Sequence, residues 1–343
     1  MVDDAYHFFI TTYAASVSDE MEIKMNNRIL DNITIGIENS DFNRAEDKEN
    51  IISHIERLKK EKLNVMFVGA TGVGKSSTIN AIFNTEIAKA GVNVDPETAN
   101  IQKYEIDNII LWDTPGLGDD PEKDKKYAAE IVRALKQTDR NGELLIDEVV
   151  VLIDGSNRDM KTAYEIIEQV VAPYIGDTKR VIIAINQCDM ALKGRYWNYD
   201  ANQPDEPLVS FLNEKVISVR NRIFESAGIM TNPIYYSALY NYNISKLLLT
   251  MITNMPEMKR FLFTDGLNKN PEIWKRNDEL EDYNSKIQNE VKGSLTKALD
   301  CAAKGAVAGA TVGGLIPVVG AAAGAAVGAV LGFLGGLIES VNP

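Results

Sequence analysis

The sequence predicts an α/β chain built on a doubly wound, mainly parallel six-stranded sheet, with added helical elements at both ends. Three observations carry this. Continuous apolar runs of four or five residues recur along the chain, which is how strands buried on both faces read. Segments of helical length separate most of them, the alternation expected of βαβ units. Polar motifs follow several runs directly, at what would be the carboxyl ends of strands, where open α/β sheets bind ligands.

The elements follow in order. Residues 1–42 are weakly patterned, and Ile51, Ile52, Ile55 and Leu58 mark one face of a charged helix. Strands are expected at Leu63–Val68, Ile101–Tyr104, Asn108–Trp112, Glu148–Ile153, Arg180–Ile185 and Pro233–Tyr236. Helices are expected near Ser76–Phe83, Asp124–Gln137, Lys161–Tyr174, Leu208–Ser226 and Ile244–Met255, with a loop at Asp200–Glu206 and a charged helix near Lys275–Lys292. Four regions result: a largely helical extension over 1–62, the α/β domain over 63–256, a helical region over 257–304, and an apolar tail over 305–343.

The first strand runs into Gly69-Ala70-Thr71-Gly72-Val73-Gly74-Lys75-Ser76-Ser77, the pattern G-x-x-x-x-G-K-[ST]. Glycines let consecutive N–H groups turn inward around a polyphosphate, and the following helix aims its N-terminal dipole at the same anion. Lys75 would neutralise the outer phosphates and the Ser76 hydroxyl would ligate Mg²⁺. The next motif is Asp113-Thr114-Pro115-Gly116, after the run Ile109–Trp112. Its Asp can hold the Mg²⁺ shell and the Gly116 N–H can sense a γ-phosphate. A third strand ends in Asn186-Gln187-Cys188-Asp189, and a fourth in Ser237-Ala238-Leu239. A carboxylate at Asp189 accepts two N–H bonds from guanine, a donor pair that adenine lacks.

With these motifs the chain resembles the TRAFAC-class GTPases, most closely the Era-like branch, over roughly Asn64 to Met255. The resemblance implies a Ras-like P-loop GTPase domain that binds GTP or GDP with Mg²⁺ and hydrolyses GTP. It assigns nucleotide contacts to residues 69–77, to Asn186, Gln187 and Asp189, and to Ser237, Ala238 and Leu239. Lys75, Thr98 and Gly116 take the catalytic positions, and Ser76, Thr98 and Asp113 the metal positions. Two departures stand out. Gln187 replaces the family lysine whose stem covers the guanine ring, and Leu239 replaces the lysine of the S-A-K motif. A septin-like branch, the chloroplast-import and immunity-associated GTPases, shares a start like Gly74–Thr78 and is the alternative family.

Thr98 is the only threonine between Thr85 and Thr114. It closes a glycine- and proline-punctuated stretch suited to a γ-phosphate-sensing loop; a turn-capping threonine is the plain alternative. Leu117 stands where Ras-type enzymes carry a water-orienting glutamine. A leucine cannot polarise water, which implies slow hydrolysis completed by a partner, by a second copy across the nucleotide face, or by a monovalent ion. Arg158 could act in trans, or be a solvated loop charge.

Composition narrows the setting. The formal net charge of −13 argues against nonspecific nucleic-acid binding, so DNA is not an expected partner. The chain has two cysteines, which indicate no disulfide framework, and two histidines, His7 and His54, which give no zinc-type cluster. Tyr6–Ile10 is apolar but follows Asp3-Asp4 with no basic region, so a cytoplasmic protein is expected.

The tail is the second strong signal. No charged residue occurs from Gly305 to Ile338, and glycines recur at 305, 309 and 313, then at 320, 324, 328, 332 and 336. This four-residue spacing puts small residues on one helical stripe, a glycine zipper. Pro317 splits the run, and Val318–Ile338 would extend about 31 Å as a helix, close to the hydrocarbon thickness. A membrane insert at residues 305–338 is one reading, placing the protein at the inner face of a membrane. A glycine-rich hairpin buried on the chain's own helices is the other. A nucleotide-gated membrane-deforming or pore-forming assembly protein is the functional alternative that this tail raises.

Overall fold

The structure, a computed structural model, describes residues 29–39, 45–83, 89–90 and 100–306. The described chain divides into two compact units: Glu61–Ser294, and the residues up to Lys60 with those from Leu295 onward. No helix among the described residues is long and apolar enough to cross a membrane. The glycine-rich tail expectation lies, apart from its first two residues, outside the described residues.

In the smaller unit, helix α1 (Ile29–Glu38) packs on α2 (Ala45–Leu58). Leu30, Ile33, Ile37, Ile51 and Ile55 are buried, and Lys59 bridges Asp31 at 2.7 Å. The α1 helix falls where the sequence reads as weakly patterned. Its isoleucines, Thr34 and Gly36 have poor helix propensity, so packing rather than local preference holds it.

The larger unit is a sheet with helices on both faces. All seven residues of β1 (Leu63–Gly69) are buried, because both faces are covered. Next come α3 (Lys75–Ile82), the short β2 (Lys89–Ala90), β3 (Gln102–Ile106), β4 (Ile109–Asp113), α4 (Pro121–Leu135) and β5 (Glu148–Asp154). Helix α5 (Lys161–Glu165) continues as a π-helical turn over Ile166–Val171, followed by β6 (Val181–Asn186) and a 3₁₀ segment at Cys188–Gly194. A hairpin, β7 (Trp197–Asn198) and β8 (Gln203–Pro204), precedes α6 (Glu206–Ala227), β9 (Ile234–Tyr235) and α7 (Ile244–Asn254). The chain continues with a 3₁₀ segment at Glu257–Gly266, a single turn α8 (Glu272–Lys275), and α9 (Tyr283–Ala306).

The sheet order is β2-β3-β4-β1-β5-β6-β9. β1 runs parallel to β4 and β5, β5 to β6, and β6 to β9, whereas β3 pairs antiparallel with β4 and β2 with β3. All six expected strands form. The seventh, β2, is a two-residue edge, too short to show any periodicity. On one face Met66, Val68, Val149, Val151, Ile183 and Ile185 pack with residues of α4, α6 and the π-helical turn, among them Ile131, Ile167 and Leu212. Elsewhere in this unit Phe83 stacks on Phe263 at 6.1 Å, and Thr78 Oγ1 meets the Tyr236 hydroxyl at 2.6 Å, joining α3 to the end of β9.

Two expectations shift. The loop at Asp200–Glu206 contains β8 and the first residue of α6, because Trp197 and Asn198 pair with Pro204 and Gln203. The last helix begins at Tyr283, not Lys275: Glu279 takes a positive φ of 53°, and the Asp282 carboxylate accepts from Ser285 N at 3.0 Å, capping the helix there.

At the amino end of β5, Asp147 accepts from Asn64 N and from Lys259 Nζ, both at 2.8 Å. Its neighbour Glu148 is fully buried, and neither carboxylate oxygen has a hydrogen-bond partner among the described residues. Burial, and then the Asp147 charge, push the Glu148 carboxyl well above the usual carboxylate range. A raised folded value means that the native state holds this proton after the unfolded chain has released it. Stability from this group is therefore complete below the ordinary carboxylate range and declines as pH rises toward the folded value. Glu148→Gln should flatten that decline. Urea unfolding between pH 4 and pH 9 should show the variant gaining over the parent as pH rises, and a constant difference would count against a protonated Glu148.

Candidate functional site

The Gly69–Ser77 loop joins β1 to α3, and its glycines are required by close contact or by backbone conformation. At Gly74, with φ of 91°, a Cβ would sit 2.3 Å from Asn186 Nδ2. At Gly69 it would meet Leu152 O at 2.8 Å, and Gly72 takes a φ of 76°. Lys75 is buried, its Nζ donating to Gly69 O at 3.1 Å and Ala70 O at 3.0 Å. Burial lowers its pKa, opposed by the charges of Asp113 and Asp119. Ser76 Oγ donates to Asp113 Oδ2 at 2.7 Å, which brings the hydroxyl and carboxylate expected at a cation together. Burial raises the Asp113 pKa, while the Ser76 bond and the Lys75 charge pull it back.

Asp113–Gly116 is stapled to the phosphate loop. Thr114 N and Oγ1 both donate to Phe67 O, at 3.3 and 2.8 Å. Thr71 N donates to Leu117 O at 3.0 Å and Leu117 N to Gly69 O at 3.4 Å. A Cβ on Gly116 would lie 2.5 Å from Thr71 Cα, so only glycine lets the two loops touch. The Leu117 side chain is buried in the hydrophobic core and offers no polar group at the loop surface. Sequence spacing gave no sign of this two-way staple.

The third and fourth motifs converge on the same edge. Asn186 Nδ2 donates to Val73 O at 2.9 Å, and its Oδ1 accepts from Ala238 N at 3.1 Å. Gln187, at φ of 59°, donates from Nε2 to Gly72 O at 2.8 Å. This gives the departure from lysine a structural role, tying the two loops together. Asp189 is buried, and its Oδ1 has no hydrogen-bond partner among the described residues. It lines a cavity of ≈ 580 Å³ together with Gly72, Gly74, Ser77, Asn186, Ser237, Ala238 and Leu239.

The sequence-expected residues of all four motifs therefore lie along one edge of the sheet. Thr98 lies outside the described residues. Arg158 is exposed, and Asp159 beside it accepts from Lys161 N at 3.0 Å at the start of α5, the solvated-loop alternative for this pair. The cavity also has lining that no motif announced: Met190, Asn80, Asn241 and Ile273. Lys215 on α6 was missed as well. Its Nζ donates to Gly155 O at 2.6 Å and Asn157 O at 2.7 Å, bracing the loop whose Gly155 N donates to Asn186 O at 2.7 Å.

The donor set fits a guanine nucleotide with a divalent cation. A buried carboxylate oxygen without a partner is costly unless a ligand donor reaches it, and Asp189, which lines the cavity, holds its Oδ1 in that condition. The loop glycines leave room that a Cβ would fill, and Ser76 with Asp113 supplies the hard oxygen donors that Mg²⁺ prefers.

Comparison with known proteins agrees in kind. A family model described as "50S ribosome-binding GTPase" matches residues 64–187. The chain is 28% identical over 141 residues to the tRNA modification GTPase MnmE of Marinomonas sp. (strain MWYL1), covering 40% of this chain and 29% of the relative. It is 24% identical over 215 residues to GTPase Era of Alkaliphilus metalliredigens (strain QYMF), covering 61% of each. The crystal structure of a probable GTP-binding protein engB aligns with a TM-score of 0.36 at 20% identity, over 56% of this chain and 97% of that one. The chain thus spans less than two thirds of the length of these curated relatives. Residues 64–187, which carry the phosphate-loop, Asp113–Gly116 and Asn186-Gln187 motifs on the mainly parallel sheet, are therefore the segment similar to the GTPase family.

Proposed function

We propose that this protein is a guanine-nucleotide switch that binds GTP and hydrolyses it to GDP. The observation that carries the reading is that Asp189, whose Oδ1 is buried and unpartnered among the described residues, lines the same cavity as the phosphate-loop residues Gly72, Gly74 and Ser77. In this reading Asp189 accepts the two N–H groups of guanine, and Ala238, whose N–H is bonded to Asn186, lies on the cavity wall beside the base. Lys75 and the loop amides hold the outer phosphates and stabilise charge developing on them as water attacks the γ-phosphate. Ser76, Asp113 and Thr98 are the residues that would hold Mg²⁺, which when bound would neutralise charge on the outer phosphates. Gly116 N–H reports the γ-phosphate. Leu117, packed in the core, orients no water, which supports slow turnover until a partner or second copy supplies the missing group.

We place the domain with the Era-like branch because Asn186, Gln187 and Asp189 keep most of its base motif. The Gly305–Ile338 tail adds a membrane-associated role, supported by its uncharged sequence and glycine spacing.

Two outcomes follow. Asp189→Asn inverts one hydrogen-bond polarity, so GTP affinity should fall by about 100-fold or more and xanthosine triphosphate should become the preferred ligand. Calorimetric titration of both nucleotides reads this, and equal ATP and GTP affinity in the parent protein would sink the guanine reading. For the tail, the protein truncated after Lys304 should lose the flotation with phosphatidylcholine liposomes that the full chain shows. Equal flotation of the two would remove the membrane role and leave the switch reading intact.

A further inference from the structure

The cavity that Asp189 lines is closed partly by residues far outside the segment matched to the GTPase family. After α7 and the 3₁₀ segment, residues 267–278 run back along the nucleotide edge as a strap. One end is fixed to the helix that follows the phosphate loop. Leu267 bridges Phe83, Asn268 N donates to Ile82 O at 2.9 Å, and Asn268 Nδ2 donates to Asn80 O at 3.0 Å. The other end is fixed to the chain just after the Ser237-Ala238 motif. Arg276 O accepts from Asn243 N at 2.9 Å, and Asp278 N donates to Asn243 Oδ1 at 2.9 Å. Asn243 Nδ2 in turn donates to Tyr235 O at 3.0 Å, and Tyr242 closes a two-bond bridge with Ser237.

Between these anchors the single turn α8 places Ile273 on the cavity wall. Ile273 is 5% exposed, and Trp274 beside it donates from Nε1 to Asn268 O at 2.9 Å, so the turn is held shut on itself. A guanine ring bonded at its edge by Asp189 needs apolar surface on its faces or on its ribose. The residue at 187, a lysine in the related family, here directs its amide to Gly72 O instead. Ile273 supplies apolar surface at that same cavity.

We propose that the 267–278 strap is a wall of the nucleoside site, that Ile273 packs on the bound nucleoside, and that nucleotide occupancy is thereby relayed along the strap to the start of α9. This rests on the guanine-nucleotide reading above. The relay runs through Asp278, which accepts from Lys246 Nζ and from the hydroxyl of Tyr283, the first residue of α9, both at 2.5 Å. A strap anchored at both ends on nucleotide-reading elements loses freedom when a ligand fills the space between them, and its amides then open less often.

Hydrogen exchange on the full chain tests this directly. With Mg²⁺ present, GDP should slow exchange of amides 268–276 by about tenfold or more, whereas pyrophosphate, which occupies only the phosphate loop, should not. Calorimetry gives the second arm. Ile273→Ala should weaken GDP by about tenfold and leave pyrophosphate affinity unchanged, with Ile273→Leu restoring most of the loss. Melting temperatures of both variants identify any that fail to fold. GDP binding without protection of the strap, or equal protection by pyrophosphate, overturns the inference and spares the guanine reading. Failure of the parent protein to bind GDP overturns both.

Discussion

The carboxamide of Asn186 is the joint on which the nucleotide edge depends. It donates to Val73 O of the phosphate loop, accepts from Ala238 N of the last motif, and its own backbone oxygen accepts from Gly155 N. Three loops leaving three strands are thereby held against β6. The amide donates from its nitrogen and accepts at its oxygen; aspartate would lack the donor and leucine both groups. Asn186 is 3% exposed, and losing its bond to buried Val73 O would leave that carbonyl unsatisfied at a cost of about 1–3 kcal/mol, whereas Ala238 N is half-buried and would lose less. Two glycines follow from it: a Cβ at 74 would meet the Asn186 amide at 2.3 Å, and one at 155 would meet its carbonyl oxygen at 2.5 Å.

An acidic chain that reads as a binder of a highly anionic ligand poses an electrostatic problem, and the fold answers it locally. With a net charge of −13 the long-range field repels nucleotide, but salt screens that field beyond about 8–10 Å. Within that range the α3 N-terminus, the loop N–H groups and Lys75 dominate. Burial weakens the charged form of Lys75, while Asp113 and Asp119 favour it. A phosphate there would add to the second effect. The same pair of influences acts in opposite sense on Asp113, whose pKa burial raises while the Ser76 hydrogen bond and the Lys75 charge pull it back.

Much of this was legible from sequence because the information is local. Strands β1, β5 and β6 are continuous apolar runs, so burial on both faces announced them without alternation. The Gly69–Ser77 spacing announced its own conformation, since Gly72 and Gly74 take positive φ and Lys75-Ser76 opens the helix. What was not legible depends on distant contacts. The α1 helix hides among β-branched residues and is stabilised by packing on α2. The Leu117–Thr71 staple and the Lys215 brace are backbone-carbonyl contacts that no residue pattern encodes. The strap reaches the site from some two hundred positions beyond the phosphate loop, and Ile273 has no motif around it. Thr98 and the main part of the glycine-rich tail fall outside the described residues, so their roles rest on sequence alone.

If one side chain positions both the phosphate loop and the base-reading loops, disabling it should degrade both functions together. Calorimetric binding of pyrophosphate and of guanosine monophosphate to Asn186→Ala, set against the parent protein at equal folded fraction, separates them. The account predicts that both affinities fall, by about tenfold or more each. A variant that keeps the parent's pyrophosphate affinity while losing only guanosine monophosphate would show that the phosphate loop holds its shape without Asn186. That result would contradict the claim that this amide organises the site.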